Sequence, residues 1–161
     1  MKVLVLSDSH SSLYFMRACI RLLKPDCIIH LGDHADDAQV LHEENPQLEF
    51  YSIRGNCDGF YPADPAKSAI TCAPGGVPLL ITHGHRFYVK SGTEALVAYG
   101  CKLGVRGILF GHTHEAVCCH LDGDVWLMNP GAAGYRGGSA GILEIHDKKI
   151  TACRIIGQAD L

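Results

Sequence analysis

The amino-acid sequence predicts an α/β fold with a mixed pair of β-sheets. Short apolar runs typical of strands alternate with helix-like segments in the first half of the chain, an order that favours parallel strands. The second half contains strand-like runs that are separated by turns and interrupted by one helix. The 161 residues have the size of one domain, and we find no repeat, linker or low-complexity segment. We therefore predict a single domain over residues 1–161.

The first half has a β-α-β-α-β order. The polar loop at residues 7–12 offers capping residues to the first helix, and Pro25 ends that helix. Since each helix joins two consecutive strands, we expect parallel pairing with right-handed crossovers. The predicted strands are residues 2–6, 27–31 and 48–53, and the predicted helices are residues 13–23 and 36–44.

The second half is predicted to be mainly antiparallel. The turn Ala73-Pro74-Gly75-Gly76 joins strands at residues 69–72 and 77–82 in a hairpin. A last helix over residues 93–103 is followed by a strand over residues 107–110. We expect the C-terminal third to be an antiparallel meander, with strands at residues 116–121, 125–128, 140–146 and 150–156.

The composition excludes several classes of protein. A hydrophobic fraction of 47% and a charged fraction of 19% are typical of a soluble globular protein and exclude a disordered chain. A net charge of -3 is unlike the basic character of proteins that bind nucleic acid or anionic membranes. No apolar run approaches the roughly 18 residues of a transmembrane helix, and Ser7-Asp8 comes too early for a secretory signal. We expect a cytoplasmic protein without a nucleic-acid or membrane partner, and homo-oligomer formation stays open.

All of the eight cysteines except Cys57 are expected to be free thiols that pack like small apolar side chains, as is usual in the cytoplasm. There is no CxxC pair, and the adjacent Cys118 and Cys119 lie in a predicted strand, where their side chains would point to opposite faces. The thiols expected among apolar neighbours are Cys19, Cys27, Cys72, Cys101 and Cys153.

Side chains that can bind metals follow five of the predicted strands, at the point where each strand ends. Because ligands of open α/β sheets bind beyond the carboxyl ends of strands, we expect these side chains to form one site. Histidines elsewhere are more often structural, a role we assign to His42, His120 and His146. We expect the same of His30 and His34, although both flank Asp33 and a role in supporting the ligands stays open. The candidates for the site are Asp8, His10, Asp33, Asn56, His83, His85, His112 and His114.

The residue types at these strand ends indicate a site for divalent transition metals. Imidazole nitrogens, carboxylates and an amide oxygen together suit Mn, Fe, Ni or Zn. The spacings Asp8-x-His10 and His112-x-His114 would each place two donors on one side of an extended chain. Such a donor set has more ligands than one four-coordinate ion needs, and it suits two ions that share a carboxylate. Two such ions can stabilise the attacking and the leaving oxygen of an in-line displacement. Glycines, which permit tight turns and close backbone approach, directly precede three of the candidates: Gly32, Gly55 and Gly111.

The sequence resembles the calcineurin-like metallophosphoesterases, and the resemblance covers almost the whole chain. The five motifs that carry it are Asp8-Ser9-His10, Gly32-Asp33, Gly55-Asn56-Cys57-Asp58, His83-Gly84-His85 and Gly111-His112-Thr113-His114. The cysteine in the third motif and the later Asn129-Pro130-Gly131 are most similar to the YfcE-like small phosphodiesterase branch. The resemblance implies a four-layer α/β/β/α sandwich with a two-metal centre between loops at one end.

The resemblance also implies an activity, that of a metal-dependent phosphodiesterase acting on a small-molecule phosphate ester. Two divalent ions, most often Mn with Ni, Fe, Zn or Mg as alternatives, would share Asp33 and a bridging water that becomes the attacking hydroxide. Two other readings stay open, a phosphomonoesterase or nucleotidase and a non-catalytic scaffold like the Vps29-type retromer subunit. The implied ligands are Asp8, His10, Asp33 and His114 for one ion and Asp33, Asn56, His83 and His112 for the other.

The chain departs from the wider family at two positions near the expected site. Cys57 stands where larger members have the histidine thought to protonate the leaving group, so His85 becomes the candidate proton donor. Ala132 stands where the branch usually has a serine after Asn-Pro-Gly, so that one hydrogen bond would be missing. We further expect Cys57 and Arg136 to contact the substrate, and Asp58 to support the metal ligands from behind.

Overall fold

Two five-stranded mixed sheets form the centre of the structure, a computed structural model that describes residues 1–59, 69–135 and 137–161. No helix in these ranges is long and apolar enough to cross a membrane. The helices are α1 (Leu13–Leu23), α2 (Ala35–Glu44) and α3 (Glu94–Leu103). The strands are β1 (Lys2–Leu6), β2 (Cys27–His30), β3 (Glu49–Ser52), β4 (Ala69–Cys72), β5 (Leu79–Thr82), β6 (Gly107–Leu109), β7 (Val117–Leu121), β8 (Val125–Asn129), β9 (Ser139–His146) and β10 (Lys149–Gly157).

The strand order is β10-β9-β1-β2-β3 in the first sheet and β4-β5-β6-β8-β7 in the second. Strands β1, β2 and β3 are parallel, as the βαβαβ order predicts, and β4 and β5 form the predicted antiparallel pair. In the second sheet β5, β6 and β8 are also parallel to one another. The carboxyl ends of the parallel strands therefore lie at one edge of each sheet.

Three apolar cores build the four layers. The alternation of side chains along β1 sends Val3 and Val5 into the core between the sheets, and Leu4 and Leu6 into the core under α1 and α2. Helix α3 covers the outer face of the second sheet through Leu96 and its neighbours. Because β1 is covered on both faces, its sequence is a continuous apolar run rather than an alternating one. The predicted α/β/β/α sandwich is confirmed.

The prediction of one C-terminal antiparallel meander is wrong. Strand β8 pairs with β7 antiparallel but with β6 parallel, whereas β9 leaves for the first sheet and pairs antiparallel with β1. The chain changes sheets after Asn129, where Pro130 cannot donate to a strand ladder and Gly131 has a left-handed φ of 80°. The last third is thus two separate hairpins, β7–β8 and β9–β10, one in each sheet.

Two expectations about the cysteines are also wrong. Cys153 is paired with Cys118 as a disulfide, with Cα atoms 6.7 Å apart, because the edge strands β10 and β7 of the two sheets lie against each other. Cys101 is exposed near the end of α3 rather than packed among apolar residues. The remaining thiols of this set, Cys19, Cys27 and Cys72, are buried as expected.

Candidate metal centre

The strand ends of both sheets bring the predicted ligands together at one end of the sandwich. Asp8 follows β1, Asp33 follows β2, Asn56 follows β3, His83 follows β5, and the histidine pair follows β6. Many of these residues have left-handed backbone conformations that are unusual for side chains other than glycine. Positive φ angles occur at Asp8 (53°), His10 (45°), Asp33 (59°), His112 (69°) and His114 (61°).

These φ angles correct one step of the sequence reasoning. Asp8-x-His10 and His112-x-His114 are not extended segments, so a period of two along a strand does not place their side chains. Asp8 and His10 nevertheless lie in one group of donor atoms, whereas His112 lies beside His83, with ring centroids 5.1 Å apart. The direction of each ligand is therefore set by its own tight turn.

The first group of donor atoms comprises Asp8, His10 and His114, whose ligand atoms all lie within 4.8 Å of one another. The Nε2 atoms of the two histidines are 3.4 Å apart, and His114 Nε2 lies 3.1 Å from Asp8 Oδ1. Asp8 is fully buried, and its Oδ2 accepts hydrogen bonds from the Ser7 hydroxyl and the His112 N–H. The approach of His114 to Oδ1 lacks hydrogen-bond geometry, so this buried oxygen has no donor among the described residues.

The second group centres on His83, which is fully buried. Its Nδ1 donates to the Leu31 carbonyl oxygen (2.8 Å), so the neutral imidazole keeps a lone pair on Nε2, whereas the protonated imidazole donates from Nε2. That Nε2 lies 3.1 Å from Asn56 Oδ1 and 3.4 Å from Asp33 Oδ1. Asp8 also has a carboxylate oxygen within 4.8 Å of the Asp33 and His83 ligand atoms. Asp8 is thus the residue common to both groups, whereas the resemblance assigns the shared carboxylate to Asp33, and that assignment stays a prediction.

Electrostatic coupling within the second group is strong. Burial raises the pKa of the Asp33 carboxyl, but hydrogen bonds from His83 and from the Cys57 N–H outweigh burial and hold that pKa well below its usual range. Burial lowers the pKa of His83, and the hydrogen bond to Asp33 and the charge of Asp8 raise it by more. Burial, and then the charge of His83, lower the pKa of the neighbouring His112 to about 4. The centre therefore attracts one positive charge strongly and repels a second proton.

These residues fit divalent metal ions. Buried carboxylate oxygens without donors are costly in a protein interior unless a cation balances them. The Asp8 oxygen that lacks a donor faces the first group, and three lone-pair atoms converge in the second. Imidazole nitrogen, carboxylate and amide oxygen are the donors that borderline first-row ions bind.

Close backbone packing supports the ligands. Asp58 accepts hydrogen bonds from the backbone N–H groups of Asp33 (3.0 Å), Ala35 (2.6 Å) and Gly55 (2.7 Å), and so ties the loops after β2 and β3 together. A Cβ atom at Gly55 would overlap Asp33 Oδ1, which accounts for the glycine there. The predicted role of Asp58, to support the metal ligands from behind, stays a prediction.

Sequence reasoning missed two supporting residues. The buried Asp37, in the first turn of α2, accepts from the Ser9 hydroxyl (2.6 Å) and the Ser11 N–H (2.9 Å). Asn129, noted only as part of a motif, donates from Nδ2 to the Gly111 carbonyl oxygen (3.0 Å) and to the Thr113 hydroxyl (2.9 Å). No spacing signal could have found Asp37, because its partners lie on a different loop.

The residues predicted to meet the substrate lie at the rim. Cys57 is exposed, and the carboxylate of Asp33 beside it raises the pKa of its thiol to about 11, so the side chain is neutral at pH 7. The His85 ring lies 5.5 Å from the His83 ring and 6.0 Å from the His112 ring, between centroids. Burial, and then the charges of His83 and Arg86, lower the pKa of His85.

Ala132 and Arg136 are the remaining positions that the sequence places near the site. Ala132 is buried, with 4% of its surface exposed, and has no hydroxyl to donate at the place of the family's serine. The predicted substrate contact Arg136 lies outside the described residues.

Comparison with known proteins identifies relatives over most of the chain. A family model described as the calcineurin-like phosphoesterase superfamily domain matches residues 1–148. The chain is 32% identical to the probable metallophosphoesterase YsnB of Bacillus subtilis over 135 residues, which cover 82% of this chain and 75% of that protein. It is 27% identical to a phosphodiesterase of Methanocaldococcus jannaschii, with 92% of this chain and 96% of that protein covered.

Solved structures share the fold at lower identity. A Streptococcus pneumoniae protein described as a predicted phosphoesterase superposes with a TM-score of 0.72 at 23% identity, with 97% of each chain covered. Vps29 of Entamoeba histolytica, solved in complex with Zn²⁺, superposes with a TM-score of 0.71 at 20% identity, with 98% of this chain and 99% of that chain covered. These likenesses concern the fold.

Proposed function

The chain belongs to the calcineurin-like phosphoesterase superfamily, and from this premise we propose that it is a phosphodiesterase that depends on two divalent metal ions. Membership of the family indicates a hydrolase that acts on phosphate esters. The observation that carries the proposal is the convergence of donor atoms that follow five strands. Asp8, Asp33 and His83 are buried among them, and one oxygen of Asp8 has no donor among the described residues.

In this proposal one ion is held by Asp8, His10, Asp33 and His114, and the other by Asp33, Asn56, His83 and His112. Bound there, divalent cations would supply the charge that activates water and that neutralises the phosphoryl oxygens as the ester breaks. We propose Mn as the ion, with Ni, Fe, Zn and Mg as alternatives, since the same donors bind several ions and availability decides among them.

The residues of the chain hold this geometry before a substrate arrives. The hydrogen bond from His83 Nδ1 to the Leu31 carbonyl oxygen keeps Nε2 directed at Asp33 and Asn56. Hydrogen bonds to Oδ2 of Asp8 leave Oδ1 directed at His114. Such prior alignment lowers the reorganisation that a reaction of charged groups requires.

We propose His85 as the proton donor to the leaving group. It lies beside the second group of donors, and its Nδ1 is buried without a partner among the described residues. Its lowered pKa leaves the free protein mostly neutral at this residue above pH 6.5, so protonation has to accompany the binding of an anionic phosphate, which raises the pKa of a nearby histidine. Cys57, a neutral thiol with a pKa of about 11, is the weaker candidate and is proposed as a substrate contact.

The accessibility of the rim supports a diester as the substrate. Asn56, Cys57 and His114 are exposed, so the site is open to solvent on the sides of both donor groups. A phosphodiester carries two substituents on phosphorus and needs such room, and one relative is named a phosphodiesterase. A phosphomonoesterase or nucleotidase would use the same ligands with a different substrate.

A second candidate function is a non-catalytic scaffold, which the structural likeness to Vps29 favours. In this chain each of the seven ligand positions carries a side chain able to bind a metal. That complete donor set supports the enzyme over the scaffold.

The test is an activity panel on protein reconstituted with Mn, Ni, Fe, Zn or Mg. The substrates are bis-aryl and mono-aryl phosphates, a mixed alkyl-aryl diester and 2′,3′- and 3′,5′-cyclic nucleotides. We expect turnover of diesters with Mn, its loss in Asp33→Ala, and full activity in Asp36→Ala, an exposed carboxylate on α2. His85→Ala should slow esters with alkyl leaving groups more than aryl ones. Absence of activity with every metal would favour the scaffold.

A further inference from the structure

The loop that carries His10 has a strained backbone conformation, which contacts from the rest of the protein must stabilise. Asp8, His10 and Ser11 have φ angles of 53°, 45° and 63°, three left-handed residues among four, none of them glycine. Each such residue costs about 1 kcal/mol or more and persists only where surrounding contacts hold it. The contacts of this loop therefore decide where the His10 ring lies.

The strongest of these contacts come from one buried carboxylate. Oδ2 of Asp37 accepts the Ser9 hydroxyl at 2.6 Å and the Ser11 N–H at 2.9 Å, so it binds the loop on both sides of His10. Asp37 is 9% exposed and lies in the first turn of α2, where the helix dipole favours a negative charge. Two further ties join this helix end to the loop: the 3.2 Å contact of Ser11 Oγ with His34 Nδ1, and the 3.4 Å hydrogen bond that Ser9 Oγ donates to the Asp33 carbonyl oxygen.

His10 differs from His83 in how its ring can be oriented. A histidine that binds a metal is usually aligned by a hydrogen bond from its second ring nitrogen, as His83 is by the Leu31 carbonyl oxygen. In the described part of the chain, the only hydrogen-bond contact of the His10 ring is between its Nε2 and His114 Nε2. Its Nδ1 has no such anchor among the described residues, so the direction of the ring comes from the backbone and from edge contacts with the His34 and His114 rings, whose centroids are 5.2 Å and 5.0 Å away.

We propose that Asp37 is a positioning residue for metal binding by His10, acting through the hydrogen bonds to Ser9 and Ser11. The proposal rests on the metal centre of the proposed function. Both hydrogen bonds end on one acceptor oxygen, so an amide oxygen at the same place would preserve them. Acceptor geometry, rather than negative charge, is what the site requires of this residue.

The test uses the full chain freed of metal and titrated with Co²⁺, followed by its absorption bands and by the paramagnetically shifted histidine signals in NMR spectra. We expect Asp37→Ala to weaken one of the two Co²⁺ binding steps by about 10- to 100-fold, the loss typical of residues that support a ligand, and to broaden or shift the His10 signals. Asp37→Asn should restore affinity to within about threefold of wild type, since both acceptor contacts persist.

Asp36→Ala is the matched control, because Asp36 is an exposed carboxylate in the same turn of α2. It should bind Co²⁺ like the wild type. If Asp37→Ala does not fold, Ser9→Ala removes one of the two hydrogen bonds and should give a smaller loss at the same binding step.

Three results would overturn the positioning role: unchanged Co²⁺ affinity in Asp37→Ala, equal weakening of both steps together with a general loss of stability, or no rescue by Asp37→Asn. A wild-type protein that binds no Co²⁺ would instead contradict the metal centre of the proposed function. The two failures are therefore distinguishable in one set of titrations.

Discussion

His30 is expected to make the folded protein sensitive to acid. It ends β2 and is fully buried, its Nδ1 accepts the Gly32 N–H (3.3 Å), and its Nε2 has no partner among the described residues. Burial lowers the pKa of this imidazole from the ordinary 6.5 to about 4, against the opposing charges of Asp58, Asp8 and Asp37. The folded protein therefore keeps a neutral His30 at pH values where the unfolded chain is protonated.

The size of the effect follows from proton linkage. A fall in the pKa from 6.5 to about 4 corresponds, at about 1.4 kcal/mol for each tenfold change in proton affinity, to about 3 kcal/mol. Because the unfolded state binds the proton first, the free energy of unfolding should decrease as the pH falls from 6.5 to 4. Below pH 4 both states are protonated at this residue, and its contribution becomes constant.

The assay is denaturant unfolding of metal-free protein at several pH values between 7.5 and 4, for wild type and for His30→Asn. Asparagine keeps an acceptor for the Gly32 N–H and does not titrate. The stability that the wild type holds over the variant should shrink by about 3 kcal/mol across this range. Titration of His112, whose pKa is also lowered, is common to both proteins and cancels in the difference. His146→Asn, at an exposed position, is the control. Parallel pH profiles for wild type and His30→Asn would refute the reasoning.

Two further predictions concern the packing around the ligands. In Gly111→Ala the new Cβ would overlap the Ser7 hydroxyl oxygen and crowd Asp8 Oδ2, so we expect a stability loss of about 1–3 kcal/mol and weaker Co²⁺ binding by calorimetry. Gly123→Ala, at a φ of 80° with open space around it, should cost about 1–2 kcal/mol and leave Co²⁺ affinity unchanged; equal affinities in the two variants would contradict this account. Asp58→Asn turns an amide N–H₂ toward backbone N–H donors. It should lower the free energy of unfolding by about 1–3 kcal/mol in denaturant titrations and weaken Co²⁺ binding. An unchanged free energy of unfolding would show that the three hydrogen bonds are dispensable.

Local signals in the sequence predict the elements well but not their partners. Helix α1 has the predicted bounds: it begins after Ser12, whose side chain makes no capping hydrogen bond, and it ends before Pro25. The bounds of α2 and α3 differ from the prediction by one residue. Strand β8 shows why pairing is harder to predict. The residue pattern of β8 does not reveal whether the strand beside it, apart from β7, is β6 or β9. That pairing follows from the chain crossing to the other sheet at Pro130, which is a property of the whole fold. The pairing of Cys118 with Cys153 depends on the same distant geometry.

Some residues of the candidate site can be predicted from local sequence, and others are identified only from the fold. Asp8, Asp33 and His83 can be found from the sequence because each directly follows a strand, and strand ends meet wherever the sheets do. Asp37 follows no strand and belongs to no motif, and it acts only because α2 brings its carboxylate to the loop of Ser9 and Ser11. Its contribution is visible only in three dimensions.

The ties between loops explain how so many left-handed residues persist at one site. Each strained loop is held by a carboxylate that accepts backbone N–H groups: Asp8 holds His112, Asp58 holds Asp33, and Asp37 holds the loop of His10. Because these acceptors are protein atoms, the ligand directions are set by folding, and the strain is already balanced by hydrogen bonds when a metal ion arrives. Loss of any one tie should therefore lower the affinity for the ion beside it more than the stability of the fold, which the apolar cores between and outside the sheets maintain.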